Sequence, residues 1–307
     1  MEKVKKINFG TIAKKYGTVG AFIVICIFFS LSTDVFLSSS NILTVLRQIS
    51  MLAILGAGLT VVMITGRIDL SIGYGTSLLG IFCAALMVDL GVPMPVAALL
   101  TLLGGLLIGL LNGVLIAYGG IPDFIGTLGT GFLLSGINQA YTEGHPISGL
   151  PDSFEIFGNM SFLGIPTMIF IMAFWLIIIA IVLSKTRFGR HTYAIGGNKE
   201  AALMSGVNVK SNSMFVFCGI GMAITALVLT SRMGSAHVTA ADSYQMQAIA
   251  TVYLGATAFK EGEPNLAGTL LGALILGVLK NGMTLMNIAY YYQDIAQGVV
   301  ILLAVII

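Results

Sequence analysis

The residues that most often carry enzyme chemistry are sparse in this sequence and widely separated. The three histidines, His145, His191 and His237, lie in different predicted loops, far from the spacing of a metal site. The sequence contains neither a Gly-x4-Gly-Lys-Ser/Thr phosphate loop nor a serine or cysteine nucleophile beside a recognisable base. It therefore predicts no catalytic residue, no metal site and no cofactor bound by this chain.

A second set of polar residues stands at the ends of apolar runs. They are Asp69, Ser71, Asn112, Phe124, Thr127 and Asn281, the phenylalanine being included because it precedes Thr127 after a proline-containing turn. Such side chains can offer hydrogen bonds to the hydroxyl groups of a solute that passes between helix ends. The alternative is helix capping and end-of-span polarity, since Asn-Gly is a common helix terminus. Both interpretations remain open from the residues alone.

A basic segment, residues 185–210, contains a run that predicts a short helix over 199–205. Asn198 can cap its N-terminus, Glu200 favours its first turn, and Gly206 can adopt the left-handed terminal conformation. The residues expected to share one face by 3/4 spacing are Ala201, Ala202 and Ser205. A short helix with a face of small residues fits a groove on a partner protein. The alternative is a solvated connector whose charges only set the topology.

The composition shows which elements must position these residues. Of the 307 residues, 28 are charged, which is 9% against roughly 25% in a soluble domain. Hydrophobic residues make up 57%, and the net charge is only +2. This composition excludes a soluble enzyme and a disordered chain, and it leaves no basic face for nucleic acid. We therefore expect an all-α polytopic membrane protein.

Apolar runs near the length that crosses a bilayer, about 20 residues, predict about ten transmembrane helices. They are 16–34, 48–66, 70–88, 94–118, 124–142, 162–184, 211–231, 244–259, 266–280 and 293–307. Residues 66–70 are expected either to separate two spans or to break one helix. Residues 232–248 are expected to form either an outer loop or a short re-entrant helix.

The basic residues orient these spans. With a cytoplasmic N-terminus, 12 of the 15 lysines and arginines face the cytoplasm. They are Lys3, Lys5, Lys6, Lys14, Lys15, Arg67, Lys185, Arg187, Arg190, Lys199, Lys210 and Lys260. We therefore expect both termini in the cytoplasm and one transmembrane domain over 1–307, with cytoplasmic segments at 1–15 and 185–210.

Glycines at four-residue spacing predict close contacts between helices. Gly105, Gly109 and Gly113 form one such face, and Gly268 and Gly272 form another. Small residues at this spacing let two helix backbones approach closely. The alternative for these glycines is to line a pore.

Short blocks in a fixed order indicate a family. Around the short helix the matching residues include Gly189, Arg190, Gly197, Asn198, Glu200, Ala201, Ala202, Ser205 and Gly206. The other blocks are 66–73, 112–113, 124–129, 144–147, 149–151, 248–250, 254–255, 268–273 and 281–282. From about residue 42 to its end, the chain resembles the permease subunits of ribose/xylose-type ABC sugar importers.

The resemblance implies a permease in a bacterial cytoplasmic membrane that imports a monosaccharide such as ribose by alternating access. It implies three kinds of partner: a second permease, identical or related; two ATP-binding subunits or one fused ATPase; and a soluble sugar-binding protein. ATP would be used by the ATPase, which would dock on the helix at 199–205. A nucleoside, a branched-chain amino acid or a signalling sugar remains open as the cargo.

Two other classes are less compatible with the residues. A self-sufficient secondary transporter would need an ionisable relay at mid-membrane depth, whereas every aspartate and glutamate falls at or beyond a predicted span end. A structural or receptor-like membrane protein would have no use for the capped cytoplasmic helix.

Overall fold

The computed structural model describes residues 9–259 and 262–306, with side chains from residue 17 onward to residue 302. The basic residues Lys3, Lys5, Lys6 and Lys260, which the charge pattern assigns to the cytoplasm, lie outside the described residues.

The described chain is almost entirely helical. Its helices are α1 (Phe9–Ser32), α2 (Ser39–Ile64), α3 (Ile72–Val88), α4 (Met94–Ala117), α5 (Asp123–Thr142), α6 (Thr167–Lys185), α7 (Arg187–Gly197), α8 (Lys199–Met204), α9 (Val209–Phe215), α10 (Ile220–Met233), α11 (Asp242–Phe259), α12 (Leu266–Leu285) and α13 (Tyr290–Ile306). A 3-10 helix covers Asp152–Phe157. The strands are β1 (Ile147–Ser148), β2 (Ser161–Phe162), β3 (Ile165–Pro166) and β4 (Ser235–Ala236), with β1 antiparallel to β4 and β2 antiparallel to β3.

Among the residues that the structure describes, five segments are long and apolar enough to cross a membrane. They are α2, α4, α6, α12 and the stretch Val209–Met233, which contains α9 and α10. Two shorter apolar helices, Gly17–Ser32 within α1 and α3, accompany them. The prediction of an all-α membrane protein is confirmed at this level.

Several predicted spans differ from the observed helices. Those predicted at 16–34 and 48–66 begin earlier, at Phe9 and at Ser39. The helix predicted at 162–184 begins only at Thr167. Gly164 has a left-handed backbone (φ +80°) and Pro166, at the N-cap position, has a non-helical backbone, so the preceding residues form the β2–β3 hairpin. The span predicted at 211–231 is interrupted between Phe215 and Ile220. Hydropathy stays high across 162–184 and across 211–231, so a sliding hydropathy window detects neither the hairpin nor the interruption.

The two ambiguous regions are resolved in the backbone. Helix α2 ends at Ile64 and α3 begins at Ile72, which leaves a non-helical link at residues 65–71. Residues 234–241, all of them described, contain strand β4 and turns but no helix. The ambiguous region 232–248 is therefore a loop only over 234–241, since its last residues, 242–248, belong to α11.

The chain divides into two compact units. One contains residues 50–249, and the other contains the described residues on either side of that range. In the first unit α3 packs against α4, α5 and α10, and α4 also packs against α9. In the second unit α12 packs against α1 and α13.

The predicted glycine faces are confirmed as close contacts. A Cβ added at Gly109 would overlap the carbonyl oxygen of Phe217, and one added at Gly105 would lie 2.6 Å from that of Gly219. The α4 face thus accommodates the interruption between α9 and α10. In the other unit, a Cβ at Gly272 would overlap the backbone of Thr251.

Candidate functional site

The non-helical link at 65–71 is held in place by two side chains of α5. The backbone N–H of Ile68 donates to Asp123 Oδ2 over 2.8 Å, and the N–H of Leu70 donates to Thr127 Oγ1 over 2.9 Å. Buried backbone donors need partners, and a link that leaves the helical pattern must find them in side chains. The start of α5 therefore fixes the conformation of the link.

Three buried polar side chains connect the link to α4. Asp69 Oδ1 accepts hydrogen bonds from the backbone N–H and the hydroxyl of Ser71, over 2.8 and 2.7 Å. The same hydroxyl accepts a hydrogen bond of 2.8 Å from Asn112 Nδ2. Asn112 is fully buried, and its Oδ1 has no hydrogen-bond partner among the described residues. The series of hydrogen bonds from Asn112 through Ser71 to Asp69 thus starts at a side chain of α4 whose amide oxygen accepts no hydrogen bond from the described residues.

Asp69 is only 2% exposed and lies in the link, outside both flanking helices. Burial raises the pKa of its carboxyl group above the usual range, because the charged form loses its hydration. The hydrogen bonds from Ser71 favour the charged form and oppose this shift, but their effect is smaller. The site therefore holds a carboxyl group that is easier to protonate than a surface aspartate.

A small cavity adjoins Asp69. It has a volume of about 20 Å³ and is lined by α2, the start of α3 and the segment 217–222. That is enough for a water molecule, which needs about 10–15 Å³, and far below the roughly 300 Å³ of a small ligand pocket. A solute of sugar size would require these segments to separate.

Helices α2 and α10 meet closely beside this cavity. A Cβ at Gly58 would lie 3.7 Å from the Cα of Gly221, and one at Gly221 would lie 3.6 Å from the Cα of Gly58. The indole N–H of Trp175 on α6 donates to the carbonyl oxygen of Ile54 on α2, over 3.1 Å. Helix α2 is therefore hydrogen-bonded to α6 at Ile54 and contacts α10 one turn later, at Gly58.

The predicted short helix is present, with both of its caps. Asn198 Oδ1 accepts a hydrogen bond of 2.9 Å from the backbone N–H of Ala201, and Gly206 has the left-handed φ of +81°. The helix α8 that they enclose ends at Met204. Glu200 lies in its first turn, as expected from the sequence.

The predicted face of small residues is wrong in one position. Ala202 is only 5% exposed because it packs against Ile195 and Val209 of the same chain. It fastens α8 to α7 and α9 and does not share the exposed side with Ala201 and Ser205.

The exposed side of α8 carries two large apolar residues that the sequence reasoning missed. Leu203 is 62% exposed and Met204 is 88% exposed. Their signal in the sequence was the placement of two large apolar side chains within a short, polar, capped helix. They give α8 a surface that a partner could cover.

The glycines of α7 serve two different contacts. A Cβ at Gly189 would overlap the carbonyl oxygen of Leu183, so this glycine permits the tight turn from α6 into α7. A Cβ at Gly196 would overlap the carbonyl oxygen of Ile64, the last residue of α2. At Gly197 no atom of the described part of the chain lies within 4 Å of such a Cβ, and Arg190 is exposed. Helix α7 thus contacts α2 one residue before the link begins.

The structure brings together four of the six residues predicted for a translocation path, namely Asp69, Ser71, Asn112 and Thr127. Phe124 is 56% exposed on the first turn of α5 and makes none of the hydrogen bonds that hold the link. Asn281 lies in the other unit, where its amide exchanges two hydrogen bonds with Asn41, of 3.0 and 2.9 Å.

Asp123 belongs to the hydrogen-bonded group and was missed. Its signal in the sequence is its place directly after Pro122. An aspartate after a proline is typical of the first turn of a helix, where its carboxylate can accept hydrogen bonds.

Comparison with known proteins identifies the family of this chain. Residues 41–305 match the family described as branched-chain amino acid transport system / permease component. The chain belongs to this permease family. It is therefore a transport subunit of an ABC importer and not an enzyme, it is a multi-pass membrane protein, and it works with ATPase and substrate-binding partners.

Several bacterial relatives match this permease over nearly its whole length. A ribose import permease of Bacillus subtilis (strain 168) is 39% identical, covering 99% of this chain and 95% of the relative. A ribose import permease of Haemophilus influenzae is 41% identical, covering 93% and 90% respectively. A xylose transport system permease of Escherichia coli (strain K12) is 32% identical, covering 94% and 89%. No solved structure matches the chain.

Proposed function

We propose that this permease carries ribose, or a closely related monosaccharide, across a bacterial cytoplasmic membrane by alternating access. The observation that carries the choice of cargo is the near-complete match to relatives named for ribose import, at 39% and 41% identity. The family description names branched-chain amino acids, but these relatives, which match 93% or more of the chain, are named for a sugar.

The geometry around Asp69 supports alternating access. The 20 Å³ cavity is far too small for a monosaccharide, so a sugar could pass beside Asp69 only in a second arrangement of the surrounding helices. Gly58 and Gly221 face each other through backbone carbons, with 3.6 to 3.7 Å between the Cα of one and a Cβ added at the other. Contacts of this kind can separate without leaving a buried polar group unpaired.

The positions of the helices support the proposed topology of ten spans. The spans would be α1 to α6, α9 together with α10, and α11 to α13, with both termini in the cytoplasm. The Lys/Arg distribution supports this orientation. In this arrangement residues 1–307 form one permease domain, and 1–15 and 185–210 are its cytoplasmic segments.

Single cysteines near Asp152 should react with an impermeant thiol reagent from outside, whereas cysteines near Lys199 should not.

Helix α8 is the proposed docking site for the ATPase. Leu203 and Met204 would be buried in the partner, with Ala201 and Ser205 beside them. The core of Ala202, Ile195 and Val209 would make α8 and α7 move together. Through Gly196, that movement would reach the end of α2 and then the link that holds Asp69.

The complete importer would contain a second permease, identical or related, and two ATP-binding subunits or one fused ATPase. A soluble sugar-binding protein would deliver the cargo. This chain itself would bind no cofactor, since ATP is used by the ATPase.

Uptake in proteoliposomes tests the proposal. The permease is reconstituted with its ATPase and binding protein, and ATP-dependent uptake of labelled ribose is measured with unlabelled ribose, xylose, adenosine or leucine as competitors. We expect ribose to compete most strongly and uptake to vanish when the ATPase is omitted. Absent uptake of labelled ribose with every subunit present, or stronger competition by adenosine or leucine than by unlabelled ribose, would contradict the proposed cargo.

A further inference from the structure

A short hairpin directly precedes α6. In it Ser161 pairs with Pro166 and Phe162 pairs with Ile165, and the turn between the strands consists of Leu163 and Gly164. Both turn residues have positive φ, +52° and +80°, the conformation that lets a two-residue turn follow the twist of its strands. We refer to residues 160–166 as the 160–166 hairpin.

The base of the 160–166 hairpin is fastened to the first residue of α6. The backbone N–H and the hydroxyl of Thr167 both donate to the carbonyl oxygen of Met160, over 3.0 and 3.1 Å. The hairpin therefore has a defined position relative to the start of this helix.

The tip of the hairpin is apolar and exposed. Leu163 is 86% exposed and Phe162 is 62% exposed. The left-handed backbone at Leu163 favours glycine or asparagine, because the Cβ of any other residue crowds the backbone there. A leucine in this place is disfavoured by its backbone and buries almost nothing in the chain itself. An apolar medium outside the chain would compensate for both disadvantages.

The hairpin lies alongside the first turn of α6. The ring of Phe162 stands 6.2 Å from the ring of Phe170, nearly perpendicular to it, and Phe170 is three residues inside the helix. Phe170 begins a row of exposed apolar side chains at 3/4 spacing, continued by Phe174, Ile177 and Ile181. The exposed tip is thus continuous with the exposed apolar side of a membrane helix.

The sequence around the hairpin has the composition of a membrane segment. Residues 156–184 contain no charged side chain, although the helix covers only the part from Thr167 onward. The 19 residues of α6 span about 28 Å at 1.5 Å per residue, close to the roughly 30 Å of the hydrocarbon core. The start of α6, and the hairpin with it, therefore falls at the membrane boundary.

We propose that the 160–166 hairpin is an interfacial membrane anchor, with the side chains of Phe162 and Leu163 inserted into lipid at the N-terminal end of α6. Aromatic and apolar side chains at this depth fix the height of a membrane helix. The continuity with the exposed row on α6 favours lipid as the occupant. A second copy of the permease and the binding protein are the alternatives that the experiment must separate.

The single native tryptophan makes a fluorescence test practicable. Trp175 is the only tryptophan of the chain, so Trp175→Phe gives a background in which one new tryptophan reports alone. The reporter is Leu163→Trp. Phe174→Trp, on the exposed row of α6, serves as the lipid-facing control. Met204→Trp serves as the water-facing control, since Met204 is as exposed as Leu163, at 88% and 86%.

Each full-length variant is reconstituted alone in phosphatidylcholine–phosphatidylglycerol vesicles. The phosphatidylcholine is brominated either near the headgroup or near the end of the acyl chain. We expect shallow bromine to quench Leu163→Trp at least as strongly as it quenches Phe174→Trp. Acrylamide, present on both sides, should quench Leu163→Trp far less than Met204→Trp.

Two results would overturn the anchor. Strong acrylamide quenching without bromine quenching would place the tip in water. Protection from both quenchers would place it against protein, as in a contact between two permeases. If Trp175→Phe fails to fold, Leu163→Cys carrying a polarity-sensitive fluorophore, in a background lacking Cys26, Cys83 and Cys218, gives the same comparison against Met204→Cys.

Discussion

At the scale of single residues, the balance between burial and hydrogen bonding at Asp69 decides how the site titrates. Asparagine at this position keeps an oxygen that can accept both hydrogen bonds from Ser71, while it removes the charge. Alanine removes the acceptor and leaves the Ser71 N–H without a partner, at a cost of about 1–3 kcal/mol. We therefore expect Asp69→Ala to lower the thermal midpoint of the purified permease well below that of Asp69→Asn.

The pH dependence of the same pair tests the protonation of Asp69. Burial raises the pKa of the carboxyl group in the folded protein, so the folded state binds this proton more strongly than the unfolded chain, whose value is about 3.9. The wild type should then lose stability relative to Asp69→Asn as the pH rises from about 4 through the raised pKa, and no further above it. Thermal unfolding of both proteins over this range measures the difference. A gain of relative stability with rising pH would show that the hydrogen bonds from Ser71 outweigh burial.

At the scale of elements, α8 presents Leu203 and Met204 on a helix whose other residues are small, polar or buried. Burying a methionine side chain in a partner contributes roughly 1.5–3 kcal/mol, which is about a 10- to 150-fold change in affinity. We expect Met204→Ser to reduce co-purification of the ATPase and uptake together. Lys199→Ala, an exposed change on the same helix, should leave both near the wild-type level. Equal recruitment by the two variants would place the docking surface elsewhere.

Two adjacent glycines of α7 offer a matched test of how that docking reaches the rest of the chain. A methyl group at Gly196 meets the last carbonyl of α2, whereas one at Gly197 has no atom of the described residues within 4 Å. Overpacking costs typically about 1–3 kcal/mol. We expect Gly196→Ala to retain the ATPase but to lower ATP-driven uptake, while Gly197→Ala transports normally. Identical uptake in the two variants would show that the contact between α7 and α2 is not used in coupling.

The sequence predicts elements where a local signal is strong and fails where tertiary contact decides. The cap at Asn198, the left-handed Gly206 and the break near Asp69 follow from residue types that favour those conformations. The burial of Ala202 depends on Ile195 and Val209, which no helical spacing within α8 reveals. The 160–166 hairpin and the break between α9 and α10 lie in continuous apolar sequence. Hydropathy does not change there at the points where the backbone leaves the helical conformation.

The candidate site shows the same division. Its members Asp69, Ser71, Asn112 and Thr127 could be selected one by one because each is polar within apolar surroundings. Their assembly into one hydrogen-bonded group depends on the packing of α3 against α4 and α5. Asn281 gives the same local signal but pairs with Asn41, so polarity in an apolar run does not distinguish a site from a structural pair.

At the scale of the whole molecule, transport by alternating access requires some helices that are in contact in this structure to separate. The close approach of α2 and α10 at Gly58 and Gly221 is the strongest candidate, because it borders the cavity beside Asp69 and involves no side chain of either glycine. A Cβ added at either Gly58 or Gly221 would lie 3.6 to 3.7 Å from the Cα of the other glycine. We choose this pair for an engineered disulfide, a bond that requires Cβ atoms about 3.5–4.5 Å apart.

A disulfide between these helices should therefore hold the permease closed. In a background without the three native cysteines, we expect Gly58→Cys combined with Gly221→Cys to lose ribose uptake on oxidation and to recover it on reduction. Each single cysteine variant should be indifferent to both treatments, which controls for the loss of the glycine itself. Mass spectrometry establishes that the bond has formed. Undiminished uptake with the bond in place would mean that α2 and α10 stay together throughout transport, and that the solute passes along another face of the bundle.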